Sequence, residues 1–254
     1  MELSKRLQAI ADMVTTGSRA ADVGCDHGFV SIYLYENKIA PKVYAMDLRE
    51  GPLQRAREHI EAKGFSDYIE TRLSDGVEAL AAGEADTLIC AGMGGRLMAE
   101  ILSKGHEKAA MMKELILQPQ SELRYFREFL RQRGFVIVKE NMIKEDVKFY
   151  PIIKAVYGGG KSGSEMVLAG GEYIGEMVSA DSLSGETLQR IADSFGPCLL
   201  ADRHPVLKEY LEMLRERDEK ILESLESAGK QAARREELCG ELSDIAYCLA
   251  LYEA

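Results

Sequence analysis

Ala20-Ala21-Asp22-Val23-Gly24-Cys25-Asp26-His27-Gly28 decides the fold. Its start reads as a buried strand, 20–24, and Gly24 and Gly28 frame a tight turn into a helix, 28–37. About twenty residues on, a second apolar strand, Val43-Tyr44-Ala45-Met46, ends in Asp47. A glycine turn after the first strand lets a ligand approach the backbone. An acid at the tip of the second strand can accept from both hydroxyls of a ribose. The pair marks a nucleoside-cofactor site. Asp26 stands where an acid-x-Gly-x-Gly-x-Gly turn carries its middle glycine. A carboxylate there repels a pyrophosphate, which needs the positive helix end for itself, and attracts the ammonium of a methionine moiety. The turn therefore favours S-adenosylmethionine over a nicotinamide dinucleotide. Asp22 either assists in the same way or orders the loop.

Outward from this stretch, strands and helices alternate. Leu3, Leu7, Ile10, Ala11 and Val14 predict an opening helix. Further strands are expected at 42–47, 68–73, 86–91, 114–118, 135–143 and 147–157, with helices at 51–64, 76–82, 95–105 and 122–133. Such alternation calls for a parallel sheet covered on both faces. Only Lys144 to Val147 separate the last two strands, too short a link for a crossover helix, so these strands should pair antiparallel. The expected fold is α/β: a doubly wound, mostly parallel, seven-stranded Rossmann-like methyltransferase sheet with an antiparallel edge hairpin, over residues 1–157. Glycine-rich 158–186 suggests a linker or insertion, taken as 158–204. From Pro205, Leu207, Leu211, Leu214, Ile221 and Leu225, then Leu238, Leu242, Ile245, Leu249 and Tyr252, predict a coiled-coil-like helical hairpin over 205–254. A dimerising helix is the alternative, and a monomer or weak dimer is expected.

The chain has 254 residues, 46% apolar and 29% charged, ordinary for a globular protein. No apolar run approaches a membrane span, and the first 16 residues carry Glu2 and Asp12, unlike a signal peptide. Five cysteines without a C-x-x-C pair suggest a reduced, cytoplasmic protein with no structural zinc. The net charge of −10 is unevenly spread: residues 1–157 hold 22 Lys+Arg against 23 Asp+Glu, and 158–254 hold 10 against 19. Within 124–154, eight bases (Arg124, Arg127, Arg131, Arg133, Lys139, Lys144, Lys148, Lys154) face four acids. This is either a phosphate-binding face or a solvated helix and sheet edge.

Two more strand ends carry candidates. Ser74-Asp75-Gly76 follows the third strand, where Asp75 can accept from an adenine amino group or cap the next helix. Ala91-Gly92-Met93-Gly94-Gly95 follows the fourth, and no G-K-[ST] completes a triphosphate loop. Its glycines let backbone groups touch a substrate, while Met93 packs on cofactor or target base, or fills core.

These residues resemble the bacterial tRNA adenine-N1 methyltransferases of the TrmK type, which act on an adenosine in the D-arm region. The matching pieces are Ser4-Lys5-Arg6-Leu7, Asp22 to Gly28, Glu50-Gly51-Pro52, Arg72 to Gly76, Ala91 to Gly95, Leu117-Gln118-Pro119, Lys148-Phe149-Tyr150 and Phe195-Gly196-Pro197. Cys25 stands where the family has a small Ser, Phe29 where Tyr is common, and Gln120 where Asn is common. The resemblance implies S-adenosylmethionine as cofactor, tRNA as partner and methyl transfer to N1 of an adenosine, position 22 in the family. A methyltransferase for a small molecule or protein, or a non-catalytic tRNA-binding module, are the alternatives. The expected cofactor-binding residues are Gly24, Asp26, His27, Gly28, Asp47, Leu48, Asp75, Gly76, Gly92 and Met93. Asp26 and Met93 are expected at the reacting centre. Arg6, Phe29, Arg96, Arg124 and Tyr150 are expected to meet substrate. His27 is expected to order the loop rather than act as a base. No metal is expected.

Overall fold

A computed structural model describes residues 2–159, 184–228 and 232–253. Seven strands form one sheet: β1 (Ala20–Val23), β2 (Val43–Asp47), β3 (Ile69–Leu73), β4 (Thr87–Met93), β5 (Glu114–Pro119), β6 (Phe135–Glu145) and β7 (Lys148–Tyr157). Their order is β3-β2-β1-β4-β5-β7-β6. The first five are parallel; β7 runs antiparallel to both β5 and β6. The strand order reverses between β1 and β4, and ligands of open α/β sheets bind at such a point, beyond the carboxyl ends of the strands. Gly24 and Gly92 stand there.

The side-chain period of a strand explains the two cores. Ala21, Val23, Leu88, Cys90, Leu115 and Leu117 pack with one set of helices: α4 (Gly95–Lys104), α5 (His106–Met111) and α6 (Leu123–Gln132). Their neighbours Ala20, Ile89 and Ile116 pack with α1 (Lys5–Ala11), α2 (Phe29–Glu36) and α3 (Glu50–Ala62). Ser4 caps α1 by accepting from the Leu7 amide.

The expected helix at 76–82 is absent. The Ser74 hydroxyl donates to the Gly76 carbonyl at 2.9 Å and accepts from the Ala79 amide at 3.1 Å. Gly76 sits at φ +57°. Local side-chain bonds thus take the place of helical ones, and the segment remains a turn. Conversely, the six-residue α5 was not expected, being too short to show a period. The hairpin turn is tighter than the four residues expected, because β6 runs through Glu145 and β7 begins at Lys148.

The described residues fall into two compact units, 2–159 and 184–253. The second unit holds helices Gly185–Phe195, Pro197–Ala201, Pro205–Ala228 and Ala232–Ala250. The end of the expected linker 158–204 is therefore helical, with Ile191, Leu199 and Leu200 buried; residues 160–183 lie outside the described residues. The last two helices pair as an antiparallel hairpin: the Tyr252 hydroxyl near its end donates to the His204 carbonyl at its start, at 3.0 Å. Leu207, Leu211, Leu238, Ile245 and Leu249 are buried as their spacing predicts, whereas Ile221 is exposed. No described helix is long and apolar enough to cross a membrane.

Candidate active site

A cleft of about 530 Å³ opens over the carboxyl ends of β1, β2, β3 and β4. Its walls are built from the loops that follow these strands, which is why residues so far apart in sequence share it.

The β1 loop is tied to β2 by two amides: Gly24 and Cys25 donate to the Met46 carbonyl at 2.8 and 2.9 Å. Gly24 has φ +73°, a left-handed backbone that favours glycine, and a Cβ there would stand 2.1 Å from the terminal methyl of Met93, which would have to turn aside. Asp22 is buried and accepts from the Ser31 hydroxyl at 2.7 Å, which pins the loop to α2. Burial pushes its carboxyl up to about 6; the Ser31 bond opposes this and the Asp47 charge adds to it. The loop-ordering role is thus realised, although Asp22 also lines the cleft.

Asp26 takes left-handed backbone at φ +49°, and its carboxylate is 61% exposed at the cleft edge. It pairs with Arg55 at 3.5 Å and with His27 at 3.6 Å. Gly28 is the N-cap of α2, so Asp26 stands two residues ahead of it. The His27, Phe29 and His59 rings lie nearly parallel, with centroids 5.3–5.8 Å apart. His59 Nδ1 also lies 3.0 Å from the His27 carbonyl. His27 is therefore held in a ring cluster, as a loop-ordering role requires.

Asp47 is 7% exposed. One carboxylate oxygen accepts from the Arg49 amide at 2.9 Å, the other from the Asp26 amide at 3.4 Å. Leu48, 65% exposed, offers an apolar surface beside it. Asp75 lines the next segment and pairs with Lys104 at 3.0 Å. It caps no helix; the Ala79 amide goes to Ser74 instead. A Cβ on Gly76 would meet Ile101 at 2.9 Å, so the turn and α4 close this end of the cleft.

The floor is Ala91, Gly92 and Met93. Met93 lines the cleft and also packs against the core, with its sulfur 3.8 Å from Cys90 Sγ, so the core-filling alternative is present. Burial raises the Cys25 and Cys90 thiols well above their usual range, so neither supplies a thiolate. Arg6 also lines the cleft and lies over the Tyr150 ring, 5.3 Å from its centroid. Gln118 and Gln120 were not among the expected residues. Gln120 lines the cleft, and Gln118 lies buried behind Gly92. A signal existed for Gln118: it is the polar residue at the end of the apolar run Leu115-Ile116-Leu117.

Several expected substrate residues lie outside this cleft. Tyr150 reaches it only through Arg6. Arg96 pairs with Glu122 and stacks on Tyr125, 4.9 Å from its centroid. Arg124 is exposed on α6. The basic run 124–154 is no continuous face: Arg127 is buried against Glu140 at 2.9 Å, and Lys154 pairs with Glu114 at 2.6 Å. A count of bases cannot tell a core ion pair from a surface charge.

The residues fit S-adenosylmethionine. A pyrophosphate at the β1 turn would face the Asp26 carboxylate, whereas a sulfonium nucleoside with an ammonium group would meet no such repulsion there. Glycines at 24 and 92 leave room for it against the backbone.

Comparison with known proteins agrees. A family model described as a methyltransferase domain matches residues 3–153. A Bacillus subtilis tRNA (adenine(22)-N(1))-methyltransferase is 36% identical over 158 residues, 62% of this chain and 66% of that protein. The chain thus spans just under two thirds of that relative. The crystal structure of the B. subtilis m1A22 tRNA methyltransferase TrmK superposes with a TM-score of 0.78 at 27% identity, covering 98% of this chain and 99% of that one. A Streptococcus pneumoniae candidate tRNA (m1A22) methyltransferase in complex with S-adenosyl-L-methionine gives a TM-score of 0.78 at 31% identity, covering 98% and 100%. With its switch-point cleft, its acidic strand tips and these likenesses, the chain belongs to the methyltransferase-domain family and, within it, to the bacterial tRNA (adenine-N1)-methyltransferases of the TrmK type.

Proposed function

We propose that this protein transfers a methyl group from S-adenosylmethionine to N1 of an adenosine in tRNA, position 22 in the D arm. The observation that carries this reading is the cleft: three carboxylates on successive strand tips beside a glycine-rich floor. When bound, S-adenosylmethionine supplies an electrophilic methyl group on a cationic sulfur. Asp47 would accept from its ribose hydroxyls, Asp75 from its adenine amino group, and Asp26 would face its ammonium, with Leu48 and Ile101 against the apolar ring. Adenine N1 is unprotonated at neutral pH, so the chain needs no general base, in keeping with two protonated thiols and a His27 held in a ring stack. What the residues contribute is positioning and desolvation. Gly92 and Met93 form the floor on which the target base is set.

The N1 edge is occupied by tertiary pairing in folded tRNA, so the base must be extruded to reach this floor. Arg6 at the cleft, with exposed Arg124, Lys139 and Lys148, would meet phosphates. Arg96 would have to leave Glu122 to do so. Phe29 would offer a ring face near the base. All five cysteines are free, which supports a cytoplasmic protein.

Mass spectrometry of nucleosides from tRNA incubated with protein and methyl donor tests the reading. It expects 1-methyladenosine; methylation of another base, or none, overturns it.

A further inference from the structure

We infer that Gln118 is a positioning residue for methyl transfer, holding the Gly92 floor and the Arg6 guanidinium through one carboxamide oxygen. The inference rests on the proposed function and deepens it. β4 and β5 pair Ala91 with Gln118 and Met93 with Pro119, which leaves Gly92 as an extra residue in the ladder, a bulge at φ +79°. Bulges beside active sites re-aim the backbone and need something to hold them. Here the Gly92 amide donates to Gln118 Oε1 at 3.2 Å. The same oxygen accepts from Arg6 Nη1 at 3.0 Å, across 112 residues of sequence. Gln118 Nε2 donates to the Pro119 carbonyl at 3.3 Å.

The carboxamide has only this orientation open to it, because Gly92 and Arg6 are both donors and would face an NH₂ with no acceptor. Gln118 is fully buried, at 0% exposure, and is not part of the cleft wall. It acts through the two groups it holds. On the cleft side, Arg6 Nη1 and Gln120 Nε2 lie 3.6 and 3.7 Å from where a Gly92 Cβ would stand, so both nitrogens converge over the bulge. The Tyr150 ring supports Arg6 from another direction. Remove the shared acceptor and two donors lose their partner together: the bulge relaxes and the guanidinium is released. Transfer between bound groups is steep in position, so a small shift of the floor costs rate without touching the ribose and amine partners on β1 and β2.

The test compares Gln118→Leu, Gln118→Glu, Arg6→Ala and the Arg6→Ala/Gln118→Leu double variant in the full chain. Gln118→Leu should lower kcat for tRNA methylation tenfold or more, while the Kd for S-adenosylmethionine, from calorimetry, stays within threefold of wild type. Gln118→Glu keeps an acceptor for both donors and should recover kcat to within threefold of wild type. The double variant should be no slower than the slower single, because both changes break one unit. Hydrogen exchange of the 91–95 segment should accelerate in Gln118→Leu and return to the wild-type rate in Gln118→Glu, whether or not methyl donor is present. Should Gln118→Leu melt below the assay temperature, Gln118→Asn, too short to reach both donors, replaces it with the same expectation. Wild-type kcat in the acceptor-deficient variant overturns the inference. So does equal loss in Gln118→Glu, or a loss of cofactor affinity in step with kcat. A wild-type protein that leaves tRNA unmethylated overturns the functional reading instead.

Discussion

Replacing Asp47 by Asn separates cofactor binding from folding. A carboxylate offers about four acceptor sites, and the Arg49 and Asp26 amides use two of them. The two that remain match the two hydroxyls of a ribose. Asparagine keeps one oxygen, and the shorter contact, from Arg49 at 2.9 Å, has first claim on it. Its NH₂ then faces the Asp26 amide and a ligand hydroxyl where an acceptor stood. A hydrogen bond to a charged group contributes about 1.5–3 kcal/mol, so the Kd for S-adenosylmethionine should rise roughly 10- to 150-fold. The fold should lose less than about 1 kcal/mol, since the Asp26 contact is long at 3.4 Å. Calorimetric titration reads the first quantity and urea unfolding the second. An unchanged Kd with an unchanged unfolding curve would refute the assignment of Asp47 to the ribose. A large loss of stability with an unchanged Kd would make it a loop anchor only.

Three other perturbations follow from the same geometry. Gly24→Ala forces an L residue to φ +73° and drives its Cβ into the Met93 methyl; urea unfolding should show a loss of about 1–2 kcal/mol, and calorimetry weaker cofactor binding as Met93 turns into the cleft. Arg127→Met takes from buried Glu140 the guanidinium it pairs with, so stability should fall by about 3–5 kcal/mol and Tm by roughly 6–20 °C, whereas tRNA affinity, measured below the melt, should not change; weaker tRNA binding without destabilisation would return Arg127 to the phosphate contacts. Asp22 has its folded pKa raised from 3.8 to about 6, so its protonated form is favoured in the native state. That contribution, about 3 kcal/mol, is fully present below pH 3.8 and lost as pH rises through 6. Urea unfolding of Asp22→Asn across this window should lack that decline, and parallel pH curves for the two proteins would count against it.

The sequence made local features legible and long-range pairing opaque. β1, its glycine turn and Asp47 could be read because a strand, a turn and a strand tip each write their own pattern within a few residues. The sheet followed from alternation, and the edge hairpin from a link too short for a helix. The 76–82 helix failed because apolar spacing does not reveal that the Ser74 hydroxyl competes for the backbone. Arg127 was placed on the surface because its partner Glu140 lies on another element and nothing nearby marks the pair as buried. Gln118 ends an apolar run, which marks it locally, but its role comes from Arg6, far away in sequence, and from a bulge visible only when β4 and β5 are paired. Three strand-tip acids were found, yet the Lys104 and Arg55 cations that attend Asp75 and Asp26 were not, since both arrive from facing helices.

Two tRNA transcripts differing only by A or G at position 22, each incubated with the protein and labelled S-adenosylmethionine, give the most direct measurement. Label should enter the A22 transcript alone, as 1-methyladenosine. Equal labelling of both, or none in either, would contradict the proposal that this cleft brings a cationic methyl donor to the N1 of that one adenine.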